Sequence, residues 1–142
     1  MEKIQLRPAP YDPKEARELL DSEGCGAVLY FDGVVKENLV EGAKVVRLDW
    51  DVYESMAVKC LAELRDEAIE RFRLKDLVLI HRTDTQVPGD FIMTLGVSSV
   101  GRKGAIEAVA WYMERLKELA PLWKRETFSD GRTEWVEGGT PK

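Results

Sequence analysis

The stretch Ser55 to Arg73 constrains the fold more than any other segment. It places Ala57, Leu61, Leu64, Ala68 and Phe72 on one stripe of a long amphipathic helix. Such a helix is stable only when its apolar stripe lies against another layer. Leu77 to Ile80 and Phe91 to Ser98 read as strands, and Pro88-Gly89-Asp90 forms the turn before the second. A further helix spans Lys103 to Ala120 and stops at Pro121, whose ring nitrogen has no hydrogen to continue the ladder.

The remaining elements follow from punctuation and period. Asp12-Pro13-Lys14-Glu15 opens a helix that runs to about Ser22, with Asp12 as its cap and Pro13 in its first position. Gly24 ends it, and Cys25 to Phe31 reads as a buried strand. Asp32-Gly33 marks a turn or bulge, and Glu37 to Gly42 a loop. Lys44 to Val52 alternates as a strand, with Val46, Leu48, Trp50 and Val52 on one side. Asp130-Gly131 separates Glu126–Phe128 from Thr133–Val136, a hairpin. Helices and strands mix without a regular βαβ rhythm. That predicts an α+β fold, with residues 1–142 as one domain and a mixed or antiparallel sheet packed with helices.

Charge and rare residues narrow the chemistry. With 26 acidic and 21 basic side chains the chain carries a formal charge of -5, which argues against broad nucleic-acid binding but leaves room for a local cationic pocket. Cys25 and Cys60 fit no metal spacing and no disulfide framework, and read as small buried hydrophobes in a reducing cytosol. A single histidine, His81, excludes multi-histidine metal sites. No signal peptide and no apolar run of membrane length is present. The expectation is therefore a cytoplasmic protein with no metal and no cofactor.

Candidate chemistry gathers on the last long helix. Ile106, Val109, Ala110, Met113 and Ala120 fall on one apolar arc, and Lys117 falls inside it, while Glu107, Glu114, Arg115 and Glu118 project elsewhere. Such a lysine either has its charge paired or its pKa lowered, or it snorkels out at the helix end. Beyond Pro121, Lys124 either folds back toward Lys117 or belongs to an exposed basic turn. Two neighbouring ammonium groups can hold an anion, or one can act as base or nucleophile. Ser98-Ser99-Val100-Gly101-Arg102-Lys103-Gly104 leads into the helix, where free N–H groups and the Arg102 fork suit phosphate. Lys36 follows a strand and points either into the same space or to solvent. His81 reads as a hydrogen-bonded structural histidine, and Trp111, on the polar side of its helix, as a possible partner contact.

Taken together, these segments resemble the molybdopterin synthase large-subunit family. The resemblance is strongest in Leu116-Lys117-Glu118-Leu119-Ala120-Pro121-Leu122-Trp123-Lys124-Arg125-Glu126. Phe31-Asp32-Gly33-Val34-Val35-Lys36, Tyr53 to Met56, Ile80-His81-Arg82 with Pro88-Gly89-Asp90, Val97 to Arg102, and Trp135-Val136-Glu137 match in the same order. It implies a hammerhead-type α+β fold and a homodimer at the centre of a heterotetramer. The implied partner is a small ubiquitin-like subunit whose Gly-Gly tail ends in a thiocarboxylate. The implied reaction transfers its sulfur to cyclic pyranopterin monophosphate to make the molybdopterin dithiolene. By position Lys117 and Lys124 match the catalytic lysines and Arg102 a pocket arginine. Lys36, Lys103, Arg125 and Glu126 complete the expected substrate-binding set, with Glu126 orienting Lys124. The chain departs from the family in having Lys36 for arginine, Gly101 for histidine and Gly139 for arginine. A degenerate relative that docks the ubiquitin-like subunit without efficient turnover stands as the alternative. A lysine-dependent Schiff-base enzyme is the rival from another class.

Overall fold

In the computed structural model, residues 2–136 are described. The element order is β1 (Ile4–Arg7), α1 (Lys14–Leu19), β2 (Ala27–Val34), β3 (Leu39–Val40), β4 (Ala43–Val52), α2 (Glu54–Phe72), β5 (Leu74–Arg82), β6 (Phe91–Ser99), α3 (Arg102–Leu119), β7 (Leu122–Phe128) and β8 (Thr133–Val136). The α+β class stands, but the strands divide into two sheets. One has the order β1-β5-β6-β2, with β1 parallel to β5 and the other pairs antiparallel. The other, β3-β4-β7-β8, is wholly antiparallel.

The first sheet is covered on both faces, which explains the unbroken apolar run of β5. Leu77, Leu79, Leu95 and Val97 pack under α2 and α3, against Leu61, Leu64, Ala105, Ala108, Tyr112 and Leu116. Val78 and Ile80 point the other way, to Ala16, Leu19 and Leu20 of the α1 region. Each of the buried leucine, isoleucine and valine side chains among these contributes roughly 2 kcal/mol by leaving water. The helix stripe read from Ser55 to Arg73 is the buried one: Ala57, Leu61, Leu64 and Ala68 are at most 6% exposed. At Gly104 a Cβ would lie 2.9 Å from the Phe72 carbonyl oxygen, so its absence lets α3 begin against the end of α2.

Several expectations change. β2 is not buried. It is an edge strand, and Val28, Phe31 and Val34 remain about two-fifths exposed or more. Of the two readings of Asp32-Gly33, the bulge holds and the turn does not: the strand runs through with a register shift at Gly33/Val34. The loop from Glu37 contains β3, joined to β4 by Glu41-Gly42, both at positive φ. A register shift between Val45 and Arg47 bulges β4, so Val45 is buried and Val46 exposed, against the simple alternation expected. α1 ends at Leu19, before Ser22, and Pro13 rather than Asp12 stands at its N-cap, although Asp12 Oδ1 does accept the Lys14 N–H at 2.9 Å just ahead of the helix. Both cysteines are only half-buried. Glu137 and Gly139 lie outside the described residues.

One contact joins the two sheets near the expected site, and a second ties the start of α2 to the end of α3. Gln86, from the loop between β5 and β6, exchanges both backbone hydrogen bonds with Leu48 of β4, at 2.8 and 2.9 Å. The Tyr53 N–H at the start of α2 donates to the Pro121 carbonyl at 3.2 Å.

Candidate active site at the junction of the sheets

Pro121 ends α3 and delivers the chain into β7, so one short segment changes period from helix to strand. Strand alternation then sorts the residues that follow. Lys124 lies opposite Trp50 of β4 and Val136 of β8, and Glu126 lies opposite Leu48 and Glu134. Lys124 is half-buried and Glu126 is buried. Arg125 takes the other face. Its Nη2 is 3.6 Å from Asp49 Oδ2, and its guanidinium lies over the Trp135 ring at 5.7 Å. Asp49 is also held by Arg47 Nε at 2.8 Å and Thr85 Oγ1 at 2.6 Å. Arg125 is thus engaged in a surface network across the sheet from Lys124 and Glu126.

Beside Lys124 a partly buried polar circuit closes on itself. The His81 ring meets the Trp50 ring edge-on, with centroids 4.8 Å apart and planes at 89°. Trp50 Nε1–H donates to Gln86 Oε1 at 3.1 Å, and Gln86 Nε2–H donates to the Asp84 carbonyl at 3.0 Å. Arg82 clamps the Asp84 carboxylate with Nε at 2.9 Å and Nη2 at 2.7 Å. The Arg82 carbonyl lies 2.7 Å from His81 Nδ1. A carbonyl only accepts, so Nδ1 carries the proton and Nε2 keeps its lone pair. Burial pushes the His81 pKa down to about 4, and the nearby Lys124 charge acts in the same direction, against the Arg82 carbonyl. His81 is therefore neutral near pH 7, the hydrogen-bonded structural histidine expected.

Lys117 is placed differently from expectation. The buried arc of α3 is Ala105, Ala108, Tyr112 and Leu116; of the apolar arc expected, Val109 and Met113 pack half-buried against the core and Ala120 is buried, while Ile106, Ala110 and Lys117 face outward. Lys117 is exposed in the last helical turn, where a cation suits the helix dipole. It stands at the helix end before Pro121, and Lys124 stands in the strand beyond. Arg102 and Lys103 occupy the opposite end of α3. Fifteen residues at the α-helical rise set Arg102 about 22 Å from Lys117 along the axis. Arg102 is exposed, and Lys103 makes only a 4.0 Å surface contact with Glu107. Lys36 is exposed just after Val35, whose backbone is pinned to Asp90 and Gly89 at 2.9 and 2.8 Å.

One chain thus gathers Lys124, Glu126 and His81 and sets Lys117 at the entrance to the same strand, but it does not bring Arg102 or Lys103 there. Hollows lined by Ile4, Leu6, Arg7 and Val58, and by Lys3, Glu15 and Glu18, hold none of the expected site residues. Trp111 is half-buried: it packs on Phe72 at 5.7 Å under the Arg71 guanidinium. Trp50 and Gln86 were invisible as site residues, one lost in an alternating strand and the other in a polar loop. No group of three or more potential metal ligands occurs among the described residues.

Residues 6–119 match the family model described as MoaE protein. The molybdopterin synthase catalytic subunit of Pyrococcus abyssi is 35% identical over 133 residues, covering 93% of this chain and 88% of that protein. The crystal structure of molybdopterin synthase from Staphylococcus aureus superposes with a TM-score of 0.88 at 33% identity, covering 96% of this chain and 98% of that one. A chain from the complex of subunits 1 and 2 of the Helicobacter pylori molybdopterin-converting factor shares the fold at 18% identity, with a TM-score of 0.76 over 96% and 91% of the two chains.

Proposed function

The chain belongs to the MoaE protein family of molybdopterin synthase catalytic subunits, and from that premise we propose how its residues divide the work. It is a sulfur-transferring enzyme subunit of molybdenum cofactor biosynthesis. The substrate is cyclic pyranopterin monophosphate. The sulfur comes from the C-terminal thiocarboxylate of a small ubiquitin-like partner, whose Gly-Gly tail enters beside Lys117 and Lys124. The reading rests above all on the segment Leu116 to Glu126, which ends α3 and opens β7 with one lysine on each side of Pro121.

Lys117 assists attack by sulfur, moving a proton or stabilising negative charge that develops on oxygen. Lys124 holds the substrate phosphate, oriented by Glu126 on the same strand face. Arg102 and Lys103 add phosphate contacts, for which a guanidinium fork and a helix N-terminus are suited. Their distance from Lys117 along α3 is best met by a second copy of this chain, so the working unit is a homodimer carrying two small subunits, acting in the cytoplasm. Lys36 and Arg125 add positive charge at the rim.

The test is single-turnover conversion of the pterin phosphate by this chain and a thiocarboxylated small subunit. Product from the natural chain, lost in Lys117→Ala, is the expected result. Full transfer by Lys117→Ala would remove that lysine from the chemistry. No product with the small subunit still bound would favour the docking-only relative, for which the glycine at position 101 is the specific observation.

A further inference from the structure

The proposed reaction leaves one buried, proton-carrying group beside the site unused. We propose that His81 is a positioning residue for Lys124: its Nε2 lone pair accepts a hydrogen bond from the Lys124 ammonium and fixes where that charge points. The inference rests on the reading of Lys124 as a site lysine given above. Four observations carry it. His81 is only 2% exposed, at the end of β5 where the two sheets meet. Its Nδ1–H is committed to the Arg82 carbonyl at 2.7 Å, which leaves Nε2 as the only acceptor on the ring. The ring lies against Trp50, the cross-strand neighbour of Lys124. Trp50 is itself fixed through Gln86 and Asp84 to Arg82, so the circuit leaves the imidazole little freedom to turn.

The chemistry of the acceptor matters. A carboxylate such as Glu126 orients an ammonium but offsets its charge. A neutral imidazole orients it and leaves the full positive charge for an anionic substrate. The depressed pKa of His81 keeps the ring neutral near pH 7, as this role requires.

Because the chain has one histidine, its nitrogen spectrum needs no assignment. The full chain, labelled with ¹⁵N-histidine and bound to its small subunit, should show a protonated Nδ1 and an unprotonated Nε2 at neutral pH. Lys124→Met should move the Nε2 resonance, and Lys117→Met should not. A protonated Nε2, or an Nε2 signal indifferent to Lys124→Met, would overturn the proposal. Kinetics supply the second arm. His81→Phe keeps the volume beside Trp50 but removes the acceptor; because Lys124 holds the substrate phosphate, it should raise KM for the pterin phosphate about 10-fold with less change in the rate at saturation. His81→Gln, which can place an acceptor near the Nε2 position, should recover much of that loss, and His81→Asn should not. Equal losses in Gln and Asn variants, tracking their melting temperatures, would make His81 merely structural. If the natural chain makes no product, the sulfur-transfer reading fails, while the nitrogen spectrum still decides the His81–Lys124 contact.

Discussion

Gly101 stands where the family resemblance leads one to expect histidine, and the backbone there does not require glycine. Its φ of -117° and ψ of 152° are ordinary extended values, and an added Cβ would meet nothing within 4 Å. Gly101→His should therefore fold with stability changed by less than about 0.5 kcal/mol. If the missing imidazole limits substrate binding, the variant should bind the pterin phosphate more tightly and turn over faster, which titration and single-turnover rates would read. An unchanged rate would mean that neighbouring cations already serve. Asp76 is the opposite kind of residue, indispensable but silent in the sequence. It is 3% exposed and accepts from Lys3 Nζ at 2.9 Å, Arg65 Nη2 at 2.7 Å, and the Asp21 and Leu77 N–H groups at 2.8 and 2.9 Å. Burial pushes its pKa up, but those four bonds outweigh burial and hold it below the usual carboxylate value. A lowered folded-state pKa adds stability that is present above the unfolded value, about 3.9. That stability is lost as pH falls through the lower folded value. Asp76→Asn should lose about 2 kcal/mol at neutral pH and flatten the acid limb of the stability curve, measured by urea unfolding across pH.

At the scale of elements, what the sequence made legible was periodicity, and what it concealed was phase. The α2 stripe was read correctly because Leu61 and Leu64 dominate it. On α3 two stripes compete, one turned about 100° from the other, the angle between successive helical residues. The outward stripe has Ile106 and Ala110, while the buried one has mostly alanines and a tyrosine. Hydrophobicity alone therefore sets the face off-centre: Val109, Met113 and Ala120 do meet the core, and Ile106 and Ala110 do not. The buried face works because Ala105 and Ala108 let α3 approach the sheet and Tyr112 finds a partner for its hydroxyl, donating to the Leu61 carbonyl at 2.8 Å. In β4, the bulge at Val46 advances the alternation by one residue, which a period-two pattern does not reveal. These assignments separate sharply by mutation. Tyr112→Ala should cost about 4 kcal/mol in denaturant unfolding, whereas Ile106→Ala, at 57% exposure, should cost under about 0.5 kcal/mol. The reverse order would restore the arc that the sequence suggested.

For the whole molecule the decisive fact is how the expected cations are distributed. Lys117 and Lys124 flank Pro121, and Arg102 and Lys103 sit at the far end of α3. The sequence joined them because they share one helix and its following strand. Sharing a straight helix is what keeps its ends apart, and no bend within α3 could close a gap of about 22 Å. On the proposed reading a pocket using both groups takes them from two chains, and a twofold dimer would then build two such pockets. This has a consequence that no single-chain pocket shares. Lys117→Ala and Arg102→Ala, each impaired alone, should complement each other when unfolded together and refolded as mixed dimers. In a mixed dimer one pocket carries both lesions and the other carries neither. Random pairing makes half the dimers mixed, so activity should recover to about a quarter of that of the natural protein. Recovery must also depend on mixing before assembly, and simple addition of the two folded variants should give much less. If refolding yields no more activity than the two variants measured separately, Arg102 and Lys117 do not meet across an interface. In that case the phosphate must be held by the cations around Lys124 alone.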